Sequence, residues 1–328
     1  MSAELPAAVS QPADLVRAGD GYDAPPPARR TRLRIWKVIR EQPMATFGAV
    51  VLLLVILVAI FAPALAPYGP REKVGDVYQP PDSSHWLGLD DGGVDMVTLL
   101  MYGARVSLIV GFAAAAVAML VGGAVGVLSG YFGGKTDTLL MRITDYFLVI
   151  PDVPLMIVVA AIWGKSLKNI ILIIGLIYWT STARLIRSQV KSIRERVYVK
   201  RARALGAGNS RLIFKHVMPQ VAPLLIANTV LMMAIAIFAE TALAFLGLGD
   251  PQKISWGLLI ENAFARQAIS LDAWWAIVPP GVCVAVLILA CTMLGTALED
   301  SLNPRLRVGH LSVRRFRLRP LVGRMDAE

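Results

Sequence analysis

From Gln42 to Pro70 the chain carries no charged residue, and runs of this kind recur often enough to dictate its solvent. A helix needs about 20 predominantly apolar residues to cross the roughly 30 Å hydrocarbon core of a bilayer. The first run supplies a span over residues 44–66, closed by Pro63 and Pro67. A second covers 106–130, with Gly122, Gly126 and Gly130 on a four-residue spacing that lets another helix approach closely. The third covers 139–163 and contains Asp145, Pro151, Asp152 and Pro154. The fourth, 169–186, has the shortest uncharged core, so it must be tilted, extended or shielded by neighbours. The fifth covers 222–248 and the sixth 274–298, opened by Pro279 and Pro280. The expected fold is an all-α membrane protein of six spans.

Composition supports that class: 56% of the 328 residues are hydrophobic and 17% are charged, which excludes an ordinary soluble protein. The charge distribution sets an expected orientation, because Lys and Arg are retained on the cytoplasmic side. With the N-terminus inside, 26 of the 33 basic residues fall in inner segments. The outer loop 67–105 instead carries Glu72, Asp76, Asp82, Asp90, Asp91 and Asp95. Both termini are expected in the cytoplasm. Residues 1–43 read as a mostly disordered tail without a cleavable leader, and 307–328 as a basic tail for anionic lipid or partner docking. Within the outer loop, residues 94–105 are mildly amphipathic and fit an interfacial helix lying on the outer leaflet. Cys283 and Cys291 lie eight residues apart in one span, about 12 Å along a helix, too far for a disulfide.

Between the fourth and fifth spans sits a basic block, 188–219. Val190, Ile193 and Val197 fall at helical spacing, with Lys191, Arg194, Arg196 and Lys200 on other faces. Gly206 and Gly208 supply the left-handed conformations that end a helix, and Asn209 or Ser210 can cap a second one running to Met218. An ordinary positive-inside loop would be shorter and would not need two helices broken by a small-residue turn. A helix-turn-helix for nucleic acid would not be tethered between two spans. The block therefore reads as a docking lever for a soluble partner.

Its residues carry a resemblance. Tyr198, Ala202, Arg203, Ala204, Leu205, Gly206, Ala207, Ile213, Phe214, His216 and Pro219 resemble the EAA loop of ABC-importer permeases. His85, Gly88, Asp90, Gly93 and Asp95 resemble that family's HxLGTDxxGRD segment. The runs Tyr102–Leu108 and Gly130–Gly134, Glu240 with Phe245–Gly249, and Asn303–Leu306 resemble further family motifs in the same order. The likeness covers about 34–306 and is nearest the dipeptide/oligopeptide permeases of the DppC/OppC type. It implies a pore shared with a homologous second permease in the bacterial plasma membrane. It also implies two ATPase subunits seated on the EAA-type loop and an extracytoplasmic substrate-binding protein. ATP and Mg would bind those ATPases, leaving this chain without a cofactor. Lys200 and Arg201 stand where the family usually has Glu-Ala, which implies an acidic cleft rim on the cognate ATPase. Leu89 and Val94 replace the usual Thr and Arg of the outer motif.

No catalytic constellation competes with this reading. Gly134-Lys135-Thr136 imitates the end of a phosphate loop, but its first glycine would fall at Ser129 and no buried strand precedes it. His85 with Asp82, Asp90 and Asp91 could be drawn as a metal site, and an ordinary solvated turn is the stronger reading. Asp145, Asp152 and Glu240 are ionisable groups within spans, which usually face a cavity or a partner helix. Asp145 could pair with Arg142 one turn earlier, and Asp152 lies where two prolines free backbone groups that can line an aqueous pathway. For Glu240 the resemblance implies a structural or gate-adjacent role, with helix pairing through a hydrogen bond as the alternative. The rival function is a proton-coupled carrier using these three carboxylates. A membrane scaffold whose basic loop binds lipid or a signalling protein is the weaker rival.

Overall fold

The computed structural model describes residues 42–302 together with Arg40. Both predicted tails lie mostly outside the described residues. The regular elements of the described residues are all helical, with one isolated bridge between Leu89 and Asp95 as their only strand-like pairing. The long helices are α1 (Pro43–Leu65), α2 (Met96–Phe132), α3 (Gly134–Val149), α4 (Asp152–Trp163) and α5 (Leu167–Arg194). Two short helices, α6 (Val197–Ala204) and α7 (Asn209–Leu212), lead through a π-turn at Ile213–Val217 into α8 (Met218–Leu243). A second π-turn at Ala244–Leu248, α9 (Trp256–Ala265), two 3₁₀ turns and α10 (Val278–Leu302) complete the fold. Among the described residues five helical segments are individually long and apolar enough to cross a membrane, and the bent pair α3–α4, counted as one broken span, brings the number to six.

The α2–α5 contact is the most extensive in the molecule, and its cause is the glycine stripe. A Cβ on Gly122 would collide with the Trp179 carbonyl. At Gly126 and Gly130 it would meet the Ala183 and Arg187 carbonyls at 2.7 and 2.8 Å. Only hydrogen fits at these three positions, so the backbones touch along two turns. At the opposite side, α1 lies on α10 through Gly48, where a Cβ would sit 2.5 Å from the Ala290 carbonyl. The chain therefore runs back and forth between two ends. One gathers residues 131–137, 187–220 and the start of α1; we call it the basic end. The other, the loop end, gathers 67–95 and 249–276.

Three expectations about elements are corrected. The third span is not one helix: α3 and α4 meet at 87°. Pro151 bars its predecessor from the helical region, and Ile150 is extended at ψ 127°. The interfacial helix expected over 94–105 does not exist as a separate element, because those residues form the first turns of the 37-residue α2. Asp95 caps them, no proline interrupts them, and Trp256 packs against Gly103 while its Nε1 donates to the Leu100 carbonyl at 2.9 Å. Val197 does not continue the stripe of Val190 and Ile193: α5 stops at Arg194, leaving Val197 exposed and Val199 buried in its stead.

Candidate functional site

The basic end is built as an apolar foundation under an exposed tip. Val127, Ile186, Val190 and Ile193 from α2 and α5 form a cluster with Val199, Leu212, Val217 and Val221. Among these all but Val127 are fully buried. Gly206 turns the chain between α6 and α7 at φ +83°, a conformation that a side chain would strain. Gly208, rather than Asn209 or Ser210, occupies the cap position of α7, and no side chain caps it. The EAA-type residues divide accordingly. Tyr198, Ala202, Ala207, Ile213 and His216 are half-buried and pack downward, whereas Arg203, Ala204, Leu205, Gly206, Phe214 and Pro219 face outward. Leu205 is 87% exposed and Phe214 71%, on a surface that also exposes Lys200, Arg201, Arg203, Arg211 and Lys215.

Polar ties hold this tip to the spans. The Tyr131 hydroxyl donates to Asn209 Oδ1 at 2.9 Å, and its carbonyl accepts from Arg194 Nη1 at 2.9 Å. The Arg203 guanidinium lies 5.6 Å above the Tyr131 ring. One residue at the end of α2 thus touches α5, α6 and α7. One helical turn away, Asp137 accepts from Arg187 Nε and Nη2 at 2.5 and 2.8 Å and from Lys191 Nζ at 2.6 Å. The Ser129 hydroxyl donates to the same carboxylate. Tyr198 and Gln220 are also hydrogen-bonded, and Arg196 Nη1 reaches Gln220 Oε1 at 3.3 Å. Lys200 is paired with Glu195 at 2.9 Å, and that ammonium holds the Glu195 carboxyl below its ordinary range. Sequence reasoning missed the Asp137 cluster. Its signal was a lone acid one turn after the Gly-Gly break, in a stretch otherwise basic.

The intramembrane carboxylates separate into two environments. Asp145 does not pair with Arg142; Arg184 Nη2 on α5 reaches it at 2.6 Å, on a surface where both side chains are about half exposed. Asp152 opens α4, where its Oδ1 accepts the Val153 N–H at 2.9 Å and its Oδ2 the Tyr178 hydroxyl at 2.9 Å. Both lie on the exposed α3–α4–α5 face beside the bend. Glu240 is 2% exposed, within α8, with Ser255 as its neighbour and no partner on Oε2. It belongs to the interior, not to that face.

At the loop end, His85 is buried rather than solvated. Its Nδ1 lies 3.3 Å from Asp95 Oδ1, and its ring is tilted against Tyr68. Asp95 also caps α2 by accepting the Thr98 N–H at 2.9 Å. Gly88 and Gly93 take positive φ, and Asp90 Oδ1 accepts the N–H groups of Gly92 and Val94 at 2.8 Å each. Burial raises the Asp90 carboxyl, whereas the backbone N–H groups of His85 and Ser84 lower that of Asp82. The outer motif therefore makes a knotted turn that fixes the entry to α2.

These features coincide with known proteins. Residues 122–308 match the family described as binding-protein-dependent transport system inner membrane component, and 32–81 match the N-terminal transmembrane domain of oligopeptide transport permease C. The chain belongs to that permease family. It is 35% identical over 289 residues to the dipeptide transport system permease protein DppC of Alkalihalophilus pseudofirmus, covering 86% of this chain and 94% of that one. To the oligopeptide transport system permease protein OppC of Bacillus subtilis it is 34% identical over 281 residues, covering 84% and 91%. A probable D,D-dipeptide transport system permease protein DdpC of Escherichia coli is 32% identical, covering 85% and 94%. The permease is accordingly a multi-pass bacterial inner-membrane protein, the membrane component of an ABC importer and not its ATPase.

Proposed function

We propose that this permease forms the pore of an ATP-driven importer for di- or oligopeptides together with a homologous second permease. Two ATPase subunits, which hold the ATP and Mg, seat on the tip around Arg203, Leu205 and Phe214. An extracytoplasmic binding protein delivers cargo at the loop end. The basic end faces the cytoplasm, in keeping with the concentration of Lys and Arg there. The observation that carries the reading is an apolar, basic tip exposed to solvent yet braced on two spans. Exposed Leu205 and Phe214 are costly to keep in water unless a partner covers them. Because Tyr131 and the apolar foundation tie the tip to α2 and α5, displacement of the tip moves those helices as a body. ATP-driven closure of the ATPases would draw the two tips together and turn the pore from inward- to outward-facing.

The exposed face beside the α3–α4 bend suits the pore side. There Asp145 with Arg184, and Asp152 with Tyr178, offer both signs of charge to a zwitterionic peptide. Glu240, enclosed beside the Ala244–Leu248 π-turn, suits a gate-adjacent role. Lys200 is already engaged by Glu195, so Arg203 and Arg211 are the cations offered to an acidic cleft rim. Co-purification tests the docking: Arg203→Glu with Leu205→Asp is expected to release the ATPase subunits while the permease pair stays assembled. Unchanged association would end the docking claim.

A further inference from the structure

A groove of about 710 Å³ lies between α1 and α2, lined by none of the residues of the tip or of the α3–α4 bend. Small residues open it: Ala59 on α1 and Ala113 and Ala116 on α2 leave space where larger side chains would close the helix pair. Ile60 and Phe112 flank it and remain 60% and 44% exposed. The lining is apolar apart from Arg105 at one end. Arg105 is exposed, outside the predicted hydrocarbon span, and makes no ion pair among the described residues.

The dimensions select an occupant. From Arg105 to Ala116 is eleven residues, about 16 Å along a helix. That is close to the roughly 15 Å depth of a single leaflet, half of the hydrocarbon thickness. A volume of this size lies within the range of small-molecule sites. A guanidinium at the interface, above an apolar channel one leaflet deep, matches a phosphate headgroup with its acyl chain beneath. Arginine is suited to this role because its planar fork binds phosphate oxygens bidentately. We propose that the groove is a binding site for an anionic glycerophospholipid of the leaflet at the loop end. Its phosphate pairs with Arg105 and one chain runs past Phe112 to Ala116. The lipid then acts as a wedge that sets the angle of α1 against α2, independently of which cargo the pore carries.

The intact transporter, purified in mild detergent from membranes containing phosphatidylglycerol, is washed and its retained lipid counted by native mass spectrometry. Wild type is expected to keep one phosphatidylglycerol per copy that Arg105→Gln loses at least tenfold. Ala113→Trp, which fills the channel, is expected to lose it with Arg105 still present. Thermal unfolding in phosphatidylcholine nanodiscs, where neither variant should differ from wild type, separates lost lipid from lost folding. Equal retention in wild type and Arg105→Gln would overturn the headgroup assignment. A photo-crosslinking residue at Phe112 that couples to the second permease instead of lipid would overturn the site altogether.

Discussion

The two ends of the permease use the same helices and opposite constructions. At the loop end polar groups turn inward: His85 and Asp95 are buried, Asp90 satisfies a glycine turn, and Trp275 Nε1 donates to the Leu89 carbonyl at 3.1 Å. At the basic end apolar groups form the foundation, and the tip carries Leu205 and Phe214 outward. A segment that only has to hold its shape encloses its polar groups. The tip, proposed above to be gripped by a partner, keeps its foundation dry and leaves apolar side chains outward.

The largest expected effect breaks the loop end. Trp275→Ala removes a buried indole and its hydrogen bond, and should cost about 3–5 kcal/mol, read as a large drop in the thermal unfolding midpoint of the purified transporter. Leu212→Ala is the matching cut at the basic end, at about 2–4 kcal/mol. It is expected to weaken ATPase association as well, since the tip loses its seat, whereas Trp275→Ala should leave association of the surviving folded fraction unchanged. Asp137→Asn leaves Arg187 and Lys191 without their counter-ion. Because Lys191 is partly solvated, the loss should be about 2 kcal/mol, below that of a fully buried pair, and partly recovered at high salt. Smallest in stability is Tyr131→Phe, about 1 kcal/mol for one hydrogen bond. Its sharper readout is functional: ATPase subunits should still bind, but cargo-stimulated hydrolysis should fall because the tip is no longer tied to α2.

Much of this was legible in the sequence. Hydropathy located the apolar segments, Gly122, Gly126 and Gly130 announced the α2–α5 contact, and Gly206 marked the turn between α6 and α7. What escaped was tertiary. Pro151 flagged a disturbance, but whether a proline kinks a span or turns it through a right angle depends on what packs around it. The amphipathic pattern at 94–105 suggested a helix lying on a surface; Trp256, 156 residues beyond its partner Leu100, provides the contact that keeps it upright within α2. Asp145 had a cation one turn away in sequence and chose Arg184 from the neighbouring helix. Asp137 drew three donors from two helices, an arrangement that no local spacing encodes.

The central claim is that the tip is a cytoplasmic surface covered by the ATPase. With Cys283 and Cys291 replaced by alanine, Leu205→Cys can be challenged with a membrane-impermeant maleimide. The account predicts no labelling in intact cells, rapid labelling in inverted vesicles stripped of ATPase subunits, and protection once those subunits rebind. Labelling of Leu205→Cys in intact cells, or no protection by the bound ATPase, would contradict it.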